Sequence, residues 1–216
     1  MNDDLREAVL SLKRERIVAV AVEMFYLNGF SRTTLDQVAH GMRVTKPFIY
    51  AHFRSKSELL AVICAQGIQG SLNAMERALA SGGSPRDQLA AFTNDFMVAV
   101  LESRKHIVIY SREEKNLSPE DSDAIKGLRR EFDRQLTGLL DRGVASGEFD
   151  IDQTTVAALA IGGIATWASV WFRPGGRLPI ENIARGMSTL VLAMSHADVP
   201  STRRAATRIG AKDTCQ

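Results

Sequence analysis

Residues 31–59, SRTTLDQVAHGMRVTKPFIYAHFRSKSEL, constrain the fold more than any other stretch of the chain. They read as two short helices joined by a tight connection, with a third helix starting at once. Thr33 or Thr34 can cap the first, and Asp36 in its first turn suits the positive helix end. Leu35, Val38 and Ala39 then form one apolar stripe. After the connection at Gly41 to Val44, Thr45 can cap a second helix whose first turn carries Pro47. Proline is tolerated there because first-turn amides have no intrahelical partner. Phe48, Ile49 and Phe53 can pack inward, which leaves Lys46, Tyr50 and His52 facing outward from a helix of roughly two turns. That is how a recognition helix presents its N-terminal residues to base edges. Ser55 and Glu58 have the spacing of a capping box for the third helix, with Lys56 in its first turn.

Over VTKPFIYAHFRSKSEL the chain resembles the TetR family of one-component transcriptional regulators: a small or polar cap, Lys-Pro, an aliphatic residue, Tyr, His, Phe and a following Lys. The resemblance implies an all-α protein with an N-terminal three-helix DNA-binding head and a six-helix body that binds ligand and dimerises. It implies base or near-base contacts from Thr45 and Lys46, and phosphate contacts from Thr34, Tyr50, His52 and Lys56. Arg43, Pro47 and Phe48 fall within the same expected DNA interface. Arg43 is a departure, because most relatives carry Gly where the turn favours a positive φ. Either the turn is relaxed, with Gly41 supplying flexibility, or the arginine is recruited toward phosphate. An ordinary αα corner would need no Thr, Lys, Tyr, His, Lys series along one edge.

Charge is placed unevenly. The net charge of the 216 residues is only +2. Between positions 13 and 56, however, Lys13, Arg14, Arg16, Arg32, Arg43, Lys46, Arg54 and Lys56 face only Glu15, Glu23 and Asp36. From residue 61 onward acids and bases balance, so the anion-attracting field is confined to the head. The expected division is a helix-turn-helix head over 1–54, a helical body over 55–197 and a frayed tail over 198–216, where Arg203, Arg204 and Arg208 lie. Cys64 and Cys215 offer neither a disulfide framework nor metal spacing, and fit a reducing cytoplasm. Histidines are isolated, and no Gly-rich phosphate loop or Gly-x-Ser-x-Gly elbow occurs. No catalytic residue, cofactor or metal site is expected. No apolar run reaches the roughly 20 residues that cross a bilayer, so no membrane partner is expected either.

The body reads as helices. The first helix of the chain should span about Leu5 to Leu27, stopped by Asn28-Gly29. A long helix from Lys56 to about Ala80 leaves the head, and a helix shared in this way can carry movement between body and head. Ser81-Gly-Gly-Ser-Pro85 breaks the chain before a helix with Leu89, Phe92, Phe96 and Val100 inward. Ile107 to Tyr110 reads as a short apolar segment before a polar loop from Arg112 to Leu117. Ser118-Pro119 opens another helix, with Ile125, Leu128, Phe132, Leu136 and Leu139 on one face. Asp152 to Phe172 is rich in Ala and Gly, and Ile183, Met187, Leu190, Val191 and Met194 stripe its successor. Two such helices from each subunit would build a four-helix homodimer interface, as the family resemblance implies; small residues would equally serve packing within one chain.

Phe92, Phe96, Tyr110, Phe132, Trp167 and Trp171 supply enough aromatic surface to line an apolar pocket, with Phe92, Phe96, Tyr110, Trp167 and Trp171 as its expected wall. The stretch Trp167-Ala-Ser-Val-Trp171-Phe-Arg-Pro-Gly-Gly-Arg177 resembles the TetR branch that regulates fatty-acid and steroid breakdown and responds to acyl-coenzyme A thioesters. In that resemblance Arg173 or Arg177 would meet the phosphates. Both arginines would equally suit the negative end of a helix. The favoured reading is a dimeric repressor of a double-stranded, palindromic DNA operator, released by a small apolar effector such as an acyl-coenzyme A. A multidrug-type sensor is the alternative within that class. A helical enzyme or lipid carrier with a vestigial head is the alternative outside it.

Overall fold

The computed structural model describes residues 2–195; residue 1 and residues 196–216, including the expected tail, lie outside the described residues. Every regular element among the described residues is helical: α1 (Asn2–Asn28), α2 (Leu35–Met42), α3 (Lys46–Tyr50), α4 (Lys56–Ala80), α5 (Pro85–Glu102), α6 (Arg104–Glu113), α7 (Pro119–Ala145), α8 (Thr154–Trp171) and α9 (Ile180–Ser195). A single 3-10 turn, Glu114–Asn116, follows α6.

Helix boundaries follow local chemistry. Thr34 and Gln37 form a reciprocal capping box at α2, and Ser84 with Asp87 does the same at α5. Pro85 and Pro119 open α5 and α7, whose Ser84 and Ser118 hydroxyls accept from the backbone N–H three residues on. At α4 the Ser55 hydroxyl accepts from the Glu58 N–H, but the Glu58 carboxylate accepts from the Arg54 N–H at 2.7 Å, so the expected box is only half formed. The short apolar segment from Ile107 to Tyr110 and the first residues of the expected loop from Arg112 to Leu117 belong instead to helix α6. Their apolar side chains face two ways, Ile109 into the head and Ile107 toward the body, which hides the helical period.

Two apolar cores meet along α4. Ile17, Phe25, Val38, Ile49 and Phe53 pack with Leu59, Leu60 and Ile63 of its first turns, joined by Ile109 and Ile125. Its later turns give Leu72, Met75 and Ala78 to a second core with Leu89, Phe92, Met97, Leu136, Leu139, Ala165 and Ala184. Buried aromatic and aliphatic side chains of this kind contribute about 1.5–3 kcal/mol each. At the far end of α7 the chain turns so tightly that a Cβ on Gly143 would collide with the Phe149 ring. Gly41 is not a source of turn flexibility. It sits in α2 where a Cβ would come within 2.6 Å of Met24 Cε, so its role is close packing against α1.

One helix qualifies the expectation about membranes. α8 is 18 residues long with a mean hydropathy of 1.4, enough by length and composition to approach a span. Its Ala158, Ile161, Ala165 and Ala168 are nonetheless packed into the body core.

Candidate functional site

The outward edge of α2 and α3 is built by three restraints. Arg14 of α1 lies with its guanidinium 4.2 Å from the Phe53 ring centroid and donates to the His52 carbonyl, pinning the end of α3. Phe48, half-buried, meets His52 edge-on at 5.1 Å. Arg43 closes α2 at φ +57°, ψ +39°, the one non-glycine residue with positive φ among the described residues. The turn is therefore not relaxed, and Arg43 holds a conformation that disfavours a Cβ. No sequence signal marks Arg14, because its partners lie nearly forty residues away.

On this edge Thr45 caps α3 without a side-chain capping bond, and the exposed Pro47 sits in its first turn. Tyr50 is 47% exposed. Lys46 Nζ pairs with Asp36 Oδ2 at 2.9 Å across the gap between the two helices, and that carboxylate raises the lysine pKa. The Thr34 hydroxyl accepts from the Gln37 N–H at 3.2 Å. His52 is held below the usual histidine range, first by burial and then by Lys13 and Arg14. Lys56 faces inward. Its ammonium donates to the carbonyls of Phe30 and Thr33 at 2.8 and 2.9 Å, which leaves one N–H for any other acceptor.

Behind the head, a cavity of about 580 Å³ opens among α4, α5, α6, α7 and α8. Such a volume suits a small organic ligand. Cys64, Gly67, Ile68 and Ser71 line it from α4, Phe96 and Val100 from α5, and Phe132 from α7. Tyr110 and Trp167 of the expected wall are present, and so is Phe96. Phe92 is not, because it is fully buried beneath, stacked on Phe96 with centroids 5.1 Å apart. Trp171, Arg173 and Arg177 also lie off the cavity lining. Arg173 instead donates to the carbonyls of Val170 and Phe172, at 3.1 and 3.2 Å, and so caps the C-terminus of α8.

The lining also carries charged and imidazole side chains that periodicity did not single out: His106, Arg112, Arg129 and Asp133. The Arg129 guanidinium lies 5.0 Å from the Tyr110 ring centroid. Burial raises the Asp133 pKa while Arg129 opposes the rise. Nδ1 of His106 has no hydrogen-bond partner of acceptable geometry among the described residues. Burial lowers the His106 pKa, with the Ser103 backbone pulling weakly the other way. Cys64 has its thiol pushed up to about 12, chiefly by burial, so it behaves as an apolar wall rather than a nucleophile.

A third feature is an apolar outer face. On α8, Val156, Leu159, Trp167 and Val170 are 51–64% exposed, and on α9 Leu190 and Met194 are 47% and 46% exposed. A Cβ added at Gly163 or Gly186 would meet nothing within 4 Å.

Comparison with known proteins gives these surfaces a context. A family model described as bacterial regulatory proteins, tetR family, matches residues 17–63. A second, tetracyclin repressor-like, C-terminal domain, matches residues 82–195. Over 182 residues the chain is 25% identical to the HTH-type transcriptional repressor KstR2 of Mycolicibacterium smegmatis, covering 83% of this chain and 89% of that protein. The structure of the TetR family transcriptional regulator PfmR from Thermus thermophilus superposes with a TM-score of 0.75 at 30% identity, over 82% of this chain and 97% of that one. AibR, solved in complex with isovaleryl coenzyme A and operator DNA, superposes with a TM-score of 0.71 at 24% identity, over 82% and 97% of the two chains.

Proposed function

The chain belongs to the tetR family of bacterial regulatory proteins, and on that premise we propose that it is a repressor that binds a palindromic operator as a homodimer and is released by a small effector. In this reading Thr45 and Lys46 meet base edges, while Thr34, Arg43, Tyr50 and His52 lie along phosphates, with Pro47 and Phe48 shaping the contact. Lys56 holds the turn before α2 in place. Two heads are needed because one short recognition helix makes few contacts, and a palindrome lets a dimer double them. The exposed apolar faces of α8 and α9 are the surfaces that would pair, and such faces left bare mark interaction sites. Acting on DNA, the protein would work in the cytoplasm.

The observation that carries the regulatory part is the double membership of α4. Its Cys64, Gly67, Ile68 and Ser71 line the cavity, while Leu59, Leu60 and Ile63 a few residues earlier lie in the head core. A ligand that displaces the cavity wall therefore moves the head. The apolar lining suits an acyl chain, and an acyl-coenzyme A is the first effector to test, as isovaleryl coenzyme A accompanies AibR. Phosphate contacts would then fall to Arg112 and Arg129, which line the cavity. One observation favours the multidrug alternative: Asp133 shares the cavity lining with Phe132, Tyr110 and Trp167, and a site for a cationic drug needs a carboxylate among aromatic walls. Two arginines against one carboxylate leave the lining cationic, which favours an anionic effector.

The test is a mobility shift on the DNA upstream of the protein's own coding region. Wild type should give a discrete complex, Lys46→Ala should relax its sequence preference, and an acyl-coenzyme A panel should dissolve it. Dissolution by a quaternary ammonium instead would favour the multidrug sensor. No complex with any duplex would overturn the reading.

A further inference from the structure

The interface contains an acid that a DNA-binding surface would ordinarily avoid. Asp36 and Lys46 come from different helices and are each 57% exposed, yet their charged atoms lie 2.9 Å apart. An exposed ion pair contributes little to stability, and Asp36 is already well placed for the α2 helix end without it. Any duplex brought against the N-terminus of α3 meets Asp36 together with Lys46, and against a backbone of phosphates the carboxylate is repulsive.

Resting on the proposed role of α3 as the recognition helix, we propose that Asp36 is a specificity-determining residue that works with Lys46 to read one G·C base pair in the major groove of each half-site. Guanine O6 and cytosine N4 are hydrogen-bonded to each other and lie about 2.9 Å apart. Lys46 Nζ and Asp36 Oδ2 are the same distance apart and carry the complementary pattern: the ammonium donates to guanine O6 or N7, and the carboxylate accepts from the cytosine amine. An A·T pair also offers an amine beside a carbonyl. There the ammonium has only the thymine O4 on its side, and the thymine methyl group crowds the charged couple. Asp36 therefore costs affinity on every sequence and returns it in full only on a G·C pair, where the ammonium also has guanine N7 and no methyl group crowds the couple. That is discrimination by exclusion of wrong partners rather than by added attraction.

The experiment is selection of duplexes from a random pool by the full-length protein, followed by affinity measurements on the selected site and on the same site with each G·C pair changed in turn to A·T. Wild type is expected to lose roughly tenfold or more at one such position in each half-site of the palindrome. Asp36→Asn should shrink that loss to about twofold and tighten binding to unrelated DNA, because the repulsive carboxylate is gone. Lys46→Ala should abolish the same preference, and the double variant should lose no more than Lys46→Ala does. Melting temperatures of the variants separate a folding defect from a reading defect, and the exposure of both side chains favours folded variants. If folded Asp36→Asn keeps the wild-type preference at every G·C position, the inference is overturned while the regulator reading stands. A wild-type protein that enriches no sequence overturns both.

Discussion

Lys56 and Phe30 are joined twice: the lysine ammonium donates to the Phe30 carbonyl at 2.8 Å and lies 4.2 Å from the centroid of the Phe30 ring. With its second bond, to the Thr33 carbonyl, this side chain ties the start of α4 to the turn that precedes α2. Charge-assisted hydrogen bonds of this type contribute about 1.5–3 kcal/mol when partly buried. Lys56→Ala should accordingly lower the stability of the folded protein by about 1–3 kcal/mol in urea denaturation. Its effect on the salt dependence of DNA binding should be well below the roughly one unit of slope that a lysine bound to phosphate contributes. A full unit of lost slope with unchanged stability would return Lys56 to the phosphate backbone.

Arg43 separates stability from binding. At φ +57° glycine would be favoured, so Arg43→Gly should stabilise the protein by about 1 kcal/mol. If the guanidinium holds phosphate, the same variant should bind operator more weakly and with a shallower salt slope. Opposite signs in the two measurements are expected; a gain in both would assign Arg43 no part in DNA contact.

Burial lowers the pKa of His106 below its ordinary 6.5, and that of His52 moves the same way. In the window below 6.5 the unfolded chain binds more protons than the folded one. Stability is thus fully present above 6.5 and declines as pH falls, at a limit of about 1.4 kcal/mol per pH unit for each group. The melting temperature of wild type should drop between pH 7 and pH 5, and His106→Gln should flatten that drop. Parallel curves for the two proteins would show that His106 is not the group responsible.

Leu190 and Val156 are 47% and 55% exposed on α9 and α8, so charging them should leave the fold of one subunit intact. Leu190→Glu and Val156→Glu should shift sedimentation toward monomer and weaken operator binding together. A retained dimer in both variants would place the interface elsewhere.

Much of the fold was legible because its punctuation is local. The bounds of α4, Lys56 and Ala80, coincide with the expected ones, since Ser55 caps the helix and Ser81-Gly82-Gly83 stops it. Helix α6 escaped notice because its cap residue, Ser103, makes no side-chain capping bond and its apolar residues serve two cores. The site was less legible, for reasons of depth and distance. Phe92 and Phe96 share one stripe of α5, yet only Phe96 reaches the cavity, because depth depends on how neighbouring helices cross. Lys56 finds Phe30 twenty-six residues earlier, a contact that no spacing rule encodes. Arg173 was open to two roles in the sequence, and its carbonyl partners, Val170 in the last turn of α8 and Phe172 just past it, make it a cap.

The cavity and the head share α4, so a ligand in the cavity is expected to act on the position of the head. Trp167 lines the cavity and Trp171 does not, so in a Trp171→Phe variant the fluorescence of Trp167 alone can be read. Acyl-coenzyme A thioesters of increasing chain length should be titrated into the protein alone and into its operator complex. If ligand and operator favour different positions of α4, each must weaken the other by the same factor. A factor of about 100, near 2.7 kcal/mol, makes a clear switch. The expected result is a change in Trp167 emission whose midpoint moves to higher ligand concentration with operator present, by the factor through which saturating ligand weakens operator binding. An emission change with the same midpoint in both titrations would show that cavity and head are uncoupled.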